Sequence, residues 1–506
     1  MHYITNSRVG FYSVLVAYRH EANGHPARDA ITTYGSRAGA STLLSRLMVH
    51  KSWIGTLACI WLLALGMVVL LAFPADVRAD DVAPAAGSDP RSADAAQTWA
   101  VHGQLTYINQ WHNSFKAPYS GTNSLDARAR NNETADVSLM VGRRLWTGAQ
   151  AWIYGEYDQG FGFNNTVGAA GFPNGEAYKV GANTPYFRLP RAFVRQVFPL
   201  GAEMETVDAA AGQLAGSRPV DNVILTIGKF SVVDIFDNNS YAHDPRGDFM
   251  NWSIIDAGPF DYAADSWGFT NGAAVEWNRG DWTLRGGAFQ LSESPNAKVA
   301  GIHFRQHSFI AEAERRHVLN TLPGKLKLLA FTNRGDMGSY AEAVSRARRD
   351  NTVPETALVR RYGSNTGLTF NVEQALSSNL GFFARAGINQ GKKETFEFTD
   401  VNRSFAVGLS LQGGQWGRAS DRLGVAAVIN ALSPNARSYF SQGGVGVLIG
   451  DGQLNYAPEK LVEAYYSLAV IKGTYLSADY QRIDNPAYNR DRGPVSIYAI
   501  RAHSEF

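Results

Sequence analysis

The sequence predicts an all-β protein, a transmembrane antiparallel β-barrel of about 16 strands, with short turns on one side and long loops on the other. Three observations lead there. The chain ends on an alternating strand, Val495 to Phe506, with Tyr498, Ile500, Ala502 and Phe506 on one face and Ala499, Arg501, His503 and Glu505 on the other. Segments of the same alternation recur through the chain from Trp99 onward, and no apolar stretch among them has the length of a membrane helix. Near the start, an apolar run marks the chain for export. Apolar side chains on one face and charges on the other suit a closed sheet, the only sheet that satisfies every backbone group inside a bilayer. For the last segment alone, an ordinary half-buried strand is the plain alternative.

The export signal runs from Met48. His50 and Lys51 precede the apolar stretch Ile54 to Phe73, and Val77-Arg78-Ala79 supplies small residues at the minus-three and minus-one positions for cleavage after Ala79. The stretch is about 20 residues long, so a retained anchor is the competing reading. Residues 1–47 read as an N-terminal extension from an early start, 48–79 as the signal peptide, 80–97 as a flexible tether rich in Ala, Asp, Ser and Pro, and 98–506 as the barrel. Cys59, the only cysteine, lies inside the leader, so the mature chain has no disulfide, cysteine nucleophile or cysteine metal site. Seven of the 47 basic and three of the 45 acidic residues precede Asp80, leaving 40 against 42 and a net charge of −2, with no electrostatic basis for binding nucleic acid.

Strands are expected near 99–108, 134–145, 150–157, 189–198, 222–229, 268–277, 282–291, 301–313, 325–333, 362–373, 380–389, 403–412, 422–430, 461–471, 475–483 and 494–506. In one of them Thr366, Leu368, Phe370 and Val372 oppose Asn365, Gly367, Thr369 and Asn371; in another Lys325 and Lys327 alternate with leucines and point to water inside the barrel. Connections after even-numbered strands tend to be tight, as at Trp146-Thr147-Gly148, Asn278 to Asp281, Gln374 to Asn379 and Lys472-Gly473-Thr474, while most of those after odd-numbered strands are long. Trp277 and Trp282 flank one tight turn, Trp146 and Trp152 another, and Trp416 lies near a third, as an interfacial aromatic girdle requires. The exception is 199–221, an Ala-rich acidic insertion at a place for a short turn; it is either a helix or a break in register.

The densest chemistry lies between Gly228 and Gly268, in the third outer loop, expected to fold back into the lumen. It carries Asp234, Asp237, Asp244, Asp248, Asp256, Asp261 and Asp265 against a single Arg246, together with Asn238, Asn251, Trp252 and Tyr262. Aromatic faces take the C–H faces of a sugar ring, while Asp, Asn and Arg pair with its hydroxyls. The expected constriction and substrate-binding set is Asp234, Asp237, Asn238, Asp244, Arg246, Asn251, Trp252, Asp261, Tyr262 and Asp265. Any one of these aspartates could instead cap a turn.

The block Gly228-Lys229-Phe230, Asp234, Phe236-Asp237, Asp244-Pro245-Arg246, Phe249, Asn251-Trp252, Asp261-Tyr262, Asp265 and Gly268 resembles the central signature of the carbohydrate-selective porins of the OprB family. The ending is similar too, in Tyr480-Gln481, Asn485-Pro486, Tyr488-Asn489, Arg492-Gly493-Pro494 and Arg501-Ala502-His503 to Phe506. The resemblance implies a sixteen-stranded barrel in the bacterial outer membrane that passes glucose and related mono- and oligosaccharides by passive diffusion. Sugars and outer-membrane lipid are then the partners, with the barrel-assembly machinery engaging the strand that ends on Phe506; monomer and trimer both remain open. No enzyme, metal or cofactor is expected. A general non-selective diffusion porin is the main alternative, an anion-selective pore and a plugged structural barrel are weaker ones, and a glycan-cleaving barrel is the least favoured, since no Glu-based pair or His-rich site stands out.

Overall fold

The computed structural model describes residues 97–177, 181–299, 301–397 and 399–506; the N-terminal extension, the leader and the tether up to residue 96 lie outside the described residues. Strands follow one another along the chain: β1 (Trp99–His112), β2 (Arg130–Trp146), β3 (Ala149–Gly160), β4 (Ala182–Pro199), β5 (Met204–Val207), β6 (Gly216–Pro219), β7 (Asn222–Phe230), β8 (Thr270–Arg279) and β9 (Trp282–Gln290). They continue as β10 (His307–Leu319), β11 (Leu322–Gly338), β12 (Arg360–Ala375), β13 (Leu380–Asn389), β14 (Arg403–Gly413), β15 (Arg418–Ala431), β16 (Glu459–Ile471), β17 (Thr474–Asp484) and β18 (Val495–Glu505). All but β5 and β6 form one closed antiparallel barrel of sixteen strands. Among the described residues no helix is long and apolar enough to cross a membrane.

Closure removes the free edges that a bilayer would punish. At the seam β1 pairs with β18 from Gln104 opposite Glu505 to His112 opposite Ile497. Phe506 extends the seam: its N–H donates to the Gly103 carbonyl at 3.0 Å and its carbonyl accepts from Gly103 N–H at 3.1 Å. A side chain at 103 would collide with the Phe506 ring, so the glycine is what lets the terminal aromatic lie flat on the seam.

Alternation sorts the wall as expected. Leu326, Leu328, Leu368 and Phe370 are exposed on the lipid face, whereas Lys327, Thr369, Asn371 and Glu373 are buried inside. In β18 Tyr498 and Ile500 face out, and Arg501 and His503 face in. Trp99, Trp146, Trp282 and Trp416 are exposed beside the short turns, where indole rings can rest among headgroups. Trp152 departs from the expected girdle: it turns inward, 3% exposed, and stacks on His102 at 6.0 Å.

Several strands outrun their expected limits: β2 and β11 each have 17 residues and β4 has 18. The eighth barrel strand is His307–Leu319 and not 301–313, since Glu312, Glu314 and Arg316 keep the alternation running to a turn at Asn320-Thr321. Residues 199–221 hold neither a helix nor a register break. Pairing of β4 with β7 runs unbroken from Ala192 opposite Lys229 to Pro199 opposite Asn222, and the insertion forms the separate hairpin β5–β6 below it.

Candidate functional site

The third outer loop, 231–269, enters the lumen and stays there because wall side chains take over its backbone hydrogen bonds. A buried irregular segment normally strands its N–H and C=O groups. Here cations of the wall meet carbonyls and carboxylates meet amides. Arg385 of β13, with no exposed side-chain surface, donates to the carbonyls of Asp237 at 2.9 Å, Ala242 at 2.8 Å and Ile254 at 2.8 Å. Arg501 of β18 donates to the carbonyls of Pro245 and Asp248. Glu463 of β16 accepts from the N–H groups of Met250 and Asn251, Glu373 of β12 from Ser240 N–H, and Glu312 of β10 from Asp237 N–H. Lys327 of β11 reaches both the carbonyl and the side-chain oxygen of Asn238.

The second outer loop joins it. Its tip, residues 169–175, is buried except for Gly175, which is half-buried, and Glu459 of β16 accepts from Ala170 N–H at 3.0 Å and Gly171 N–H at 2.7 Å. Trp252 N–H donates to the Phe172 carbonyl at 3.1 Å and Gly175 N–H to the Met250 carbonyl at 2.7 Å. A Cβ at Gly171 would press on Ser253 Oγ, so this close approach requires a glycine.

The two loops lean on the β10–β18 side and leave a cavity of about 210 Å3 in front of Arg191 of β4, closed in part by Asn296, Val447 and Leu448 of later outer loops. Phe172, Trp252, Tyr262, Trp267 and Phe269 supply its aromatic surface; Arg191, Arg246, Glu176, Asp234, Asp244 and Asp256 supply its ionisable groups. Arg191 holds Asp234 in a two-pronged pair at 2.7 and 2.6 Å and lies over the Phe269 ring at 4.8 Å and the Tyr154 ring at 5.2 Å. Arg188 pairs with Glu156 and Asp158 and covers Phe269 from 5.0 Å. Arg246 reaches Glu176 at 2.6 Å, Asp136 at 3.6 Å and Glu156 at 3.8 Å. Burial works against its charge, but these acids and Asp244 hold the Arg246 guanidinium well above its ordinary value. Burial would raise the Asp244 carboxyl, yet Arg246 and its N–H bring it below the usual range. Asp256 differs: burial, reinforced by Asp237, pushes it up to about 8 despite Arg385, and its Oδ1 has no protein hydrogen-bond partner among the described residues.

The ten residues expected from sequence therefore divide. Asp234, Asp244, Arg246, Trp252 and Tyr262 line the cavity. The other five hold the loop. Asp237 accepts from Ala257 N–H and Asn371, Asn238 from Lys327, and Asn251 caps the turn Trp252–Ile255 while bonding Gly171 and Gln481. Asp261 accepts from Phe396 N–H at 2.8 Å and Glu397 N–H at 2.9 Å, tying loop to loop; burial pushes it up to about 6. Asp265 accepts from the N–H groups of Trp267 and Phe269 and closes a turn. Asp256, named in the loop but left out of the expected set, also lines the cavity; sequence reasoning missed Arg188, Arg191, Glu156, Asp158, Glu176 and Phe172. Alternation does place Arg191 with Arg195, and Glu156 with Asp158, on inward faces; nothing local says that these strands lie opposite the loop. Among the described residues no group of three or more His, Cys, Asp or Glu side chains could hold a metal ion.

A closed sixteen-strand barrel, lipid-facing outside, with two loops packed into a polar lumen, defines a porin of the bacterial outer membrane. A profile of carbohydrate-selective porins, the OprB family, matches residues 122–506. The chain belongs to that family: it is an outer-membrane sugar channel and not an enzyme. The high-pH structure of Pseudomonas putida OprB is similar with a TM-score of 0.62 and 14% identity over 81% of this chain and 94% of that one. The low-pH structure of the same porin gives 0.43, 13%, 81% and 93%, and the outer-membrane channel DcaP of Acinetobacter baumannii gives 0.45, 8%, 81% and 97%. At these identities the likeness concerns the fold. No curated protein matches the sequence.

Proposed function

We propose that glucose and related mono- and oligosaccharides cross the barrel by passive diffusion through the cavity between the third loop and the β3–β4 wall, and that this cavity is the constriction. The observation that carries the reading is the pairing of an aromatic surface with charges already fixed by ion pairs. Trp252 and Phe172 offer a flat apolar face to the C–H side of a pyranose. Opposite them Asp234, Asp244 and Arg246 are held by their partners, so a sugar hydroxyl meets groups that lose little freedom on binding. Asp256, neutral below about pH 8, lines the same cavity. Each such bond is worth about 1 kcal/mol net of water, and weak contacts let the solute leave.

Planar-bilayer conductance with graded glucose and maltose tests this. Concentration-dependent block of the current supports a sugar site; open conductance without block would leave only the general diffusion porin, and no conductance at all would leave a plugged barrel. Export of the chain with cleavage after Ala79, and assembly through the strand ending on Phe506, belong to the same proposal. Mass measurement of the protein extracted from outer membranes decides the first.

A further inference from the structure

Near the short turns the inner face of β10 to β12 is charged, at Glu314, Arg316, Lys325 and Glu373. On β1 to β4 it carries an apolar patch: Ala100, Met140, Trp152, Tyr154 and Phe193 face inward and are buried, with Arg144, Gln150 and Arg195 beside them nearer the turns. An apolar lumen wall left to water would cost about 25 cal/mol for each Å2 exposed, so something has to cover it. The turn between β5 and β6 does. Leu214, 3% exposed, packs into this group.

Three strands and the residue leading into β1 pin the turn in place. Gln97, just before β1, donates its N–H to the Ala215 carbonyl at 3.2 Å and accepts from Ala215 N–H at 2.8 Å through its side chain. Arg144 of β2 donates to the same carbonyl at 3.2 Å. Gln150 of β3 accepts from Leu214 N–H at 3.1 Å, and Arg195 of β4 donates to the Gly212 carbonyl at 2.8 Å. At the tip, Ala210 and Gln213 exchange backbone hydrogen bonds of 3.0 and 2.9 Å about Gly212, whose φ is +75°. Gly212 comes so near Tyr154 that a Cβ there would be 2.9 Å from the phenol oxygen. Tyr154 in turn carries the Arg191 guanidinium of the cavity on its other flank.

We infer that residues Asp208–Gly216 form a periplasmic sill, a size-selecting lip at the inner mouth directly below the cavity, seated by Leu214. Sugars that have passed the constriction leave over its tip, so the sill limits the length of oligosaccharide the channel releases. The inference rests on the proposed route along the β3–β4 wall.

The test replaces Asp208–Ser217 by a short Gly-Ser turn; Pro199 and Asn222 already pair at its base, and the other short-side connections among the described residues close in two to four residues. Single-channel conductance is expected roughly to double, and liposome swelling to admit longer maltodextrins, with glucose block retained. A folded barrel with unchanged conductance and unchanged size limit overturns the sill. Should the deletion fail to assemble, Gln213→Cys in the otherwise intact chain is labelled with a bulky methanethiosulfonate from the periplasmic side. A fall in conductance supports the sill; full labelling with no change overturns it. Both readouts work without sugar affinity, so failure of the sill and failure of the sugar site are told apart by whether glucose block survives.

Discussion

The ring of Phe172 lies over that of Trp252, centroids 5.3 Å apart and planes 17° from parallel, so that a residue of the second outer loop fixes the indole of the third. Trp252 carries no exposed edge to speak of except toward the cavity, and its backbone N–H is taken by the Phe172 carbonyl. Trp252→Ala is expected to weaken glucose block about five-fold, since an aromatic contact is worth roughly 1 kcal/mol. Phe172→Ala should weaken it less, through the lost support. Current-block titration of both variants measures this, and unchanged block in both would remove the aromatic surface from the sugar path.

Among the described residues Arg246 is the cation that pairs with both Glu176 and Asp136. Its removal takes a fixed positive charge out of the cavity and leaves these buried acids to take up protons. Arg246→Ala should weaken sugar block about ten-fold while the barrel still forms, and shift the reversal potential toward cation selectivity, with Arg246→Lys intermediate. A reversal potential identical to that of the parent would contradict the charge arrangement.

Arg385 gathers three carbonyls of the third loop. Arg385→Met strips them of their donor and leaves Asp237 with a weaker set of partners, a change of about 3 kcal/mol or more. The barrel itself has no need of this residue. Larger, noisier channel openings and cleavage within 231–269 by added protease are expected. Parent-like protection would mean that the remaining wall contacts suffice.

Asp256 keeps its proton up to about pH 8, whereas in the unfolded chain it would lose it at about 4. The folded state therefore binds the extra proton between those values, and its contribution to stability falls as pH rises through that window and levels off above it. Asp256→Asn should flatten this dependence, read from the temperature at which the heat-modifiable band shifts on gels between pH 5 and 9. If the group is also a sugar contact, block weakens above about pH 8 in the parent only.

Deletion of Phe506 removes two seam hydrogen bonds and the ring lying on Gly103. Slower appearance of the folded, heat-modifiable barrel in outer membranes is the expected result. Normal yield would detach the terminal aromatic from assembly.

How far the sequence reached follows from what alternation can report. A period of two states which side chains share a face, and so the lipid face of β12 and β18 and the inward placement of Lys327 were readable from residues alone. Turn lengths carried the order of short and long connections, and with it the position of the third loop. Trp152 shows the limit: its closeness to a turn suggested a girdle, but parity with Tyr154 decides that it faces inward. The same limit applies to the insertion after β4, whose role depends on an apolar wall built by four strands, three of them far away in sequence.

The chain by itself therefore determined the barrel, its compartment and the segment that would fill its lumen, because strand period and turn chemistry are local properties. Which loop aspartates hold the backbone and which face the cavity was decided only when the barrel closed, because each is assigned by a partner on a distant strand. Asp237 finds Arg385 and Asn371, while Asp234 finds Arg191, and only closure of the cylinder fixes those distances.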